Sequence, residues 1–183
     1  DTINIKSALM NYHQLDLEIG FGRGRFISQY AEKHPERYVV GVEVRKQMVE
    51  EFKRRYTIPN CFPIWGAGAI CLEDVMPDAK ISRVFIFHPD PWFKKRHHKR
   101  RVFNTDLLTL IHKKMRPGGQ VYISTDVEVL YEDMLNVCQT YGNLEFIEDD
   151  PFWEQDYLTH WSMFSDLEER SQFFISFKFK EEK

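Results

Sequence analysis

Leu15-Asp16-Leu17-Glu18-Ile19-Gly20-Phe21-Gly22-Arg23-Gly24 is the stretch on which the architecture turns. Its first five residues are mostly apolar and read as a short strand, which the alternating glycines then end. A helical pattern follows (Phe26, Ile27, Tyr30, Ala31) and stops near His34-Pro35. Next come a second strand, Tyr38 to Val44, and a second helix through Met48, Val49 and Phe52. Strand, glycine turn, helix, strand at this spacing is a βαβ unit, and it predicts a parallel sheet with right-handed crossovers.

The glycine turn carries the first chemistry. Glycine lets the backbone approach a ligand closely, and a strand-to-helix turn aims free N–H groups at whatever binds there. A dinucleotide fingerprint, G-x-G-x-x-G, would need its third glycine at position 25, which is Arg25; it comes one earlier, at Gly24. The E-x-G-x-G-x-G spacing through Glu18, Gly20, Gly22 and Gly24 favours S-adenosylmethionine over a nicotinamide cofactor. Glu18 ends the first strand and can pair with the cationic end of such a ligand. Glu43 ends the second and can accept from both ribose hydroxyls.

Further along, Cys61–Trp65 reads as a third strand, and the small residues Gly66 to Ala69 form a loop against which an adenine ring can lie, Gly68 and Ala69 included. Arg83 to Phe87 is a fourth strand. A helix from Thr105 to Met115 is N-capped by Asn104 and stopped by Pro117-Gly118-Gly119. Gln120 to Ser124 is a fifth strand with Asp126 just past its end, Val127 to Tyr141 is helical, and Leu144 to Ile147 is a sixth strand. The tail Phe173 to Lys180 alternates apolar and polar, which predicts a half-buried antiparallel strand near a sheet edge. No repeat or linker interrupts the chain, so residues 1–183 read as one domain.

The fourth strand runs into F-H-P-D-P-W-F-K-K-R-H-H-K-R-R, Phe87 to Arg101. Pro89 and Pro91 fix their own φ and donate no ladder hydrogen bonds, so they lock the backbone on either side of Asp90. Trp92 and Phe93 are rings that can stack on a base. Lys94, Lys95, Arg96, Lys99, Arg100 and Arg101 are six of 25 basic residues; the 19 that remain face 28 acids. The positive ribbon is thus a local feature of an acidic chain of net charge −3, which excludes a generally basic nucleic-acid coat and points to one phosphate track.

Three cysteines at unrelated spacings, Cys61, Cys71 and Cys138, suit a reducing compartment rather than a disulfide frame. No apolar run reaches membrane-span length and no signal peptide is visible, so the expected location is the cytoplasm. The chain opens on Asp1 rather than methionine, leaving room for a preceding segment. His88, His97 and His98 lack a third ligand at zinc spacing, and no metal is expected.

Taken together, E-I-G-F-G-R-G at Glu18–Gly24, G-V-E at Gly41–Glu43, H-P-D-P-W at His88–Trp92, K-R-H-H-K-R-R at Lys95–Arg101 and S-T-D at Ser124–Asp126 resemble the tRNA (guanine-N(7)-)-methyltransferase family over nearly the whole chain. The resemblance implies an α/β class I S-adenosylmethionine-dependent methyltransferase, Rossmann-like, with a seven-stranded, mostly parallel sheet and an antiparallel edge strand. It implies tRNA as partner, S-adenosylhomocysteine as product, and a monomer or homodimer. It makes Asp90 the catalytic acid, also placed in the cofactor set with Glu18, Gly20, Gly22, Gly24, Glu43, Gly68 and Ala69. Lys94, Asp126, Thr159 and Ser162 would contact the substrate; Arg96, His97, His98, Lys99, Arg100 and Arg101 would run along RNA. Two positions depart from the pattern: Gly68 stands where the family carries an acid, and Ser162 stands where it carries a glutamate, which Glu168 or Glu169 could supply instead. Those departures keep open a cofactor- and RNA-binding paralogue without activity, and a methyltransferase for another RNA remains a second alternative.

Overall fold

The computed structural model describes residues 2–158 and 171–181. Fifteen stretches of regular structure build it, and every strand joins one seven-stranded sheet. The strands are β1 (Gln14–Ile19), β2 (Arg37–Glu43), β3 (Cys61–Trp65), β4 (Ile81–Phe87), β5 (Met115–Thr125), β6 (Leu144–Phe146) and β7 (Phe173–Phe179). The helices are α1 (Thr2–Asn11), α2 (Arg25–Lys33), α3 (Lys46–Arg55), α4 (Gly68–Asp74), α5 (Thr105–Lys114) and α6 (Glu128–Tyr141). Spatial order is β3-β2-β1-β4-β5-β7-β6, parallel except that β7 runs antiparallel to both β5 and β6. Seven mostly parallel strands with one antiparallel strand among them make the sheet that the sequence resemblance implies.

The near-continuous burial of β1, β2 and β4, acids of β1 included, follows from cover on both faces. On one face Ile5, Leu72, Leu108, Ile111, Met134 and Cys138, from α1, α4, α5 and α6, pack against the strands. On the other, α2 and α3 contribute Phe26, Ile27, Tyr30, Val49 and Phe52, joined by Phe152 and, from a π-helical turn at Trp153–Leu158, by Trp153 and Tyr157. Phe152 stacks on Phe85 with centroids 5.2 Å apart and meets Tyr122 at 4.1 Å. No helix among the described residues is long and apolar enough to cross a membrane.

Three details differ from the sequence reading. The alternating tail is one strand in from the edge: β7 inserts between β5 and β6, and Ser176 on it is buried, donating to Ile147 O at 2.8 Å and accepting from Trp153 Nε1 at 3.4 Å, while Lys178 stays partly exposed. Pro117-Gly118-Gly119 does not precede β5 but bulges within it, because Met115 already pairs with Ile81 and pairing resumes at Arg83 and Gln120 after a register shift. The small-residue loop is shorter than expected, since α4 starts at Gly68, whose Cβ position lies 2.6 Å from Ile19 Cγ2; a side chain there would push into β1. Asn104 caps α5 as expected, its Oδ1 accepting from Leu107 N–H at 2.9 Å.

Asp16, fully buried in β1, is satisfied by Arg37 at 2.5 and 2.8 Å and by the Tyr30 hydroxyl at 2.8 Å, while Arg83 donates to that hydroxyl at 2.9 Å. The network ties β1, β2, α2 and β4 together, and removing one partner would strand a buried charge.

Gly22 and Gly24 both adopt positive φ, +58° and +72°, but their surroundings differ: beside Gly22 only Arg45 comes within 3.7 Å of a Cβ position, whereas at Gly24 the Phe52 ring occupies it. Gly24→Ala should therefore cost about 2–4 kcal/mol in denaturant unfolding, strain plus overpacking. Gly22→Ala should cost only the backbone share, about 1–2 kcal/mol. Equal losses would show that Phe52 does not constrain the turn.

Candidate active site

Strand order reverses at β1, whose neighbours are β2 on one side and β4 on the other. The connections leave in opposite directions there, so a crevice opens beyond the carboxyl ends of β1 and β4, where doubly wound sheets bind ligands. A cleft of ≈ 350 Å³ occupies this position. Glu18, Gly20, Phe21, Gly22 and Arg23 line it from β1 and the turn; Arg25 and Phe26 from α2, Phe87 from β4, and Arg45 and His88 just past the ends of β2 and β4 complete it.

Glu18 is 3 % exposed, and its Oε2 has no hydrogen-bond partner among the described residues. Burial, and secondarily the Glu43 charge, push its carboxyl well above the ordinary value. A buried carboxyl without a donor is costly unless something cationic or hydrogen-bonding joins it. Gly20 faces open space at φ +79°, so the turn leaves room beside it.

Glu43 is provided for. Gly22 N–H donates to its Oε2 at 2.8 Å, and Arg45 donates through its backbone N–H at 3.0 Å, Nε at 2.9 Å and Nη2 at 3.2 Å. Burial raises the Glu43 pKa, but the hydrogen bonds from Arg45 and Gly22 outweigh it and hold the carboxyl below its ordinary value. The expectation of a carboxylate open to ribose hydroxyls thus needs amending: Arg45, absent from the sequence-derived set, already occupies it. The Arg45 side chain is 63 % exposed, so it can yield to a ligand without disturbing the core. A cation two residues after the strand-end acid was the signal that could have found it.

The other expected cofactor residues divide. Gly20 and Gly22 line the cleft; Gly24 packs on Phe52, Gly68 on Ile19, and neither these nor Ala69 reaches the lining. Asp90 is exposed at the rim, one proline beyond the last lining residue, and its charge acts on Arg45 across the mouth. Asp126 is half-buried past the end of β5, with Oδ1 3.6 Å from His88 Nδ1. Thr159, Ser162, Glu168 and Glu169 lie outside the described residues.

The proline-bracketed turn carries positive φ at His88 (+47°) and Trp92 (+45°). Arg101, expected on the RNA-facing ribbon, is instead 7 % exposed. Its Nε donates to Pro91 O at 2.8 Å and its Nη1 meets Asp133 Oδ2 at 3.1 Å, so it bolts the turn to α6. The reason is satisfaction of a turn carbonyl and an α6 carboxylate, which a sequence pattern of charge alone does not disclose. Lys95–Arg100 form a 3₁₀ turn that leaves Lys94, Lys95, Arg96 and Lys99 exposed. Trp92 is half-buried, with the Arg100 guanidinium 5.2 Å from its centroid and His97 edge-on at 5.7 Å; Phe93 beside it is 69 % exposed. The ring available for stacking is therefore Phe93.

A family model described as "putative methyltransferase" matches residues 13–174. The tRNA (guanine-N(7)-)-methyltransferase of Prochlorococcus marinus (strain NATL1A) is 31% identical over 169 residues, 85% of this chain and 78% of that protein. That of Synechocystis sp. (strain ATCC 27184 / PCC 6803 / Kazusa) is 36% identical over 143 residues, 75% of this chain and 68% of the other. Against several further relatives of the same name the chain spans little more than half their length. Among solved structures, the 16S rRNA methyltransferase KamB superposes with a TM-score of 0.65 over 99% of this chain and 94% of its own, at 13% identity, a likeness of fold.

Glu18 holds its proton to higher pH in the folded chain than in the unfolded one, where the ordinary value is 4.5. Above that value unfolding releases a proton, so rising pH costs stability until the folded-state pKa is passed. Glu18→Gln should match the wild type near pH 4.5. Its unfolding free energy should then pull ahead as pH rises, by at most about 1.4 kcal/mol per pH unit. A gap that stays constant from pH 4 to 8 would show that burial does not perturb Glu18.

Proposed function

Because this chain belongs to the tRNA (guanine-N(7)-)-methyltransferase family, we propose that it methylates N7 of the variable-loop guanine of tRNA, with S-adenosylmethionine as donor and residues 1–183 as one catalytic domain. The observation that carries this reading is the buried, donor-less carboxyl of Glu18 beside the glycine turn at the strand switch. A cationic, amine-bearing ligand supplies what that atom lacks. Gly20 and Gly22 leave backbone room for it, and Glu43 would accept its hydroxyls once Arg45 moves aside. The residues fit the cofactor, which when bound supplies an electrophilic methyl on a sulfonium.

Guanine N7 has an in-plane lone pair and carries no proton at neutral pH, so no general base is needed. The protein's task is alignment and compensation of the positive charge that passes to the purine. Asp90, held between two prolines at the rim, is the acid assigned to grip the guanine Watson–Crick edge, where N1–H and the exocyclic amine present a donor pair that adenine lacks. Asp126 adds negative potential as the ring becomes cationic. Lys94, Lys95, Arg96 and Lys99 supply the phosphate track, and Phe93 a stacking face.

Asp90→Ala should lower kcat by about 10²–10³, with little change in calorimetric cofactor affinity; near-normal turnover of labelled methyl into tRNA would remove Asp90 from the chemistry. In tRNA titrations against salt, Lys95→Ala should reduce the log–log slope by about 0.7–0.9. Phe93→Ala should weaken binding by about 1–3 kcal/mol without altering that slope. A wild-type Kd indifferent to salt would end the role given to the ribbon.

A further inference from the structure

Glu43 has its acceptor capacity filled from within the chain. A carboxylate offers about four lone-pair positions, two on each oxygen. Four donors take them here. On Oε1 they are the Arg45 backbone N–H at 3.0 Å and Arg45 Nε at 2.9 Å; on Oε2 they are the Gly22 N–H at 2.8 Å and Arg45 Nη2 at 3.2 Å. The Glu43 side chain is 3 % exposed, so a donor that leaves has to be replaced by another.

The four donors are not equivalent. The two backbone N–H groups belong to the glycine turn and to the chain just past β2, and losing them would unmake the turn. The guanidinium is a fork laid across both oxygens, on a side chain that is largely exposed. Its Nη2 lies 3.7 Å from the Cβ position of Gly22, and Arg45 forms part of the cleft wall. A ribose cis-diol makes the same demand on the carboxylate, two donors with one to each oxygen. A ribose that reaches Glu43 therefore takes the places of Nε and Nη2 and sets one guanidinium free.

We propose that Arg45 is a phosphate-binding residue unmasked by the cofactor: ribose on Glu43 releases its guanidinium to the tRNA backbone, so that cofactor and tRNA each bind more tightly in the presence of the other. The role rests on the function proposed above. The freed charge stands among like charges, because Arg23 and Arg25 are exposed in the same cleft lining and Lys46 is exposed next in the chain. Asp90 acts on the Arg45 charge from across the mouth, but in the proposed function it is engaged by guanine. A phosphate supplies the missing anion, and a guanidinium can grip it through two parallel N–H groups. Without RNA, the cofactor breaks the Arg45–Glu43 pair with nothing to receive the cation. Without cofactor, the pair holds the cation back from RNA. The coupling is the same in both directions by thermodynamic necessity.

The test measures binding rather than turnover, using the whole chain, unmodified tRNA and S-adenosylhomocysteine. In the wild type, saturating S-adenosylhomocysteine should tighten tRNA binding at least about fivefold. It should also steepen the log–log salt slope by about 0.7–0.9, the signature of one more phosphate contact. Calorimetry should return the same factor for S-adenosylhomocysteine when tRNA is the saturating partner. A 2′,3′-dideoxy analogue of S-adenosylhomocysteine lacks the diol, and at saturation it should leave tRNA affinity and slope unchanged. Arg45→Ala should bind S-adenosylhomocysteine alone as tightly as the wild type or up to about fivefold tighter, and its tRNA affinity and slope should be indifferent to that ligand. Wild-type tRNA binding with equal Kd and slope in the presence and absence of S-adenosylhomocysteine overturns the proposal, as does coupling that persists with the dideoxy analogue. An Arg45→Ala protein that loses affinity for S-adenosylhomocysteine overturns it too, since Arg45 would then be a cofactor contact. The dideoxy comparison needs no variant, so a misfolded substitution leaves the test standing. Failure of the wild type to bind either ligand would instead overturn the proposed function, and this role with it.

Discussion

Two carboxylates are held side by side at the carboxyl edge of the sheet, and only one of them has donors. Glu18 pairs in register with Gly41 on β2, two residues before Glu43, and both side chains are 3 % exposed. Glu43 draws four hydrogen bonds from Gly22 and Arg45, which fold the glycine turn back over the end of β2. Glu18 is left with a buried oxygen that nothing in the described chain satisfies. Such a group is costly to bury unless a hydrogen-bond donor or a cation completes it.

The opposite wall shows the same division between support and function. Prolines 89 and 91 stiffen the turn, while buried Arg101 fastens the Pro91 carbonyl to Asp133 on α6. With the turn so fixed, Asp90 and the exposed cations from Lys94 to Lys99 need no further scaffold. Arg100 sits over Trp92, which makes that ring part of the support and leaves Phe93 as the exposed one.

Much of this was legible because the relevant patterns are local. Alternation, helical spacing, the Asn104 cap and the E-x-G-x-G-x-G turn depend on neighbours a few residues away, and the succession of strands and helices along the chain followed from them. The N-terminal helix α1 carries no comparable signal, and the π-helical turn at Trp153–Leu158 makes sense only against the sheet: Phe152 and Tyr157 are aromatic because Phe85, Phe87 and Tyr122 lie beneath them. The place of β7 inside the sheet was hidden for a related reason, since alternation reports a strand's faces but not which strands flank it.

Residue order by itself determined the βαβ start, the acids at the ends of β1 and β2, the proline lock on Asp90 and the local excess of positive charge, because each is a matter of residue type at fixed short spacing. Only the tertiary structure decided that Arg45 occupies Glu43, that Arg101 turns inward, and that His88 joins Tyr157 and Asp126 across 69 and 38 positions of chain. Only the His88 pairings join stretches distant in sequence; Arg45 lies two residues from Glu43 and Arg101 ten from Pro91, and there the fold of the turn decides which donor meets which acceptor. Hydrogen-bond satisfaction in a buried space, rather than any periodicity, selects them.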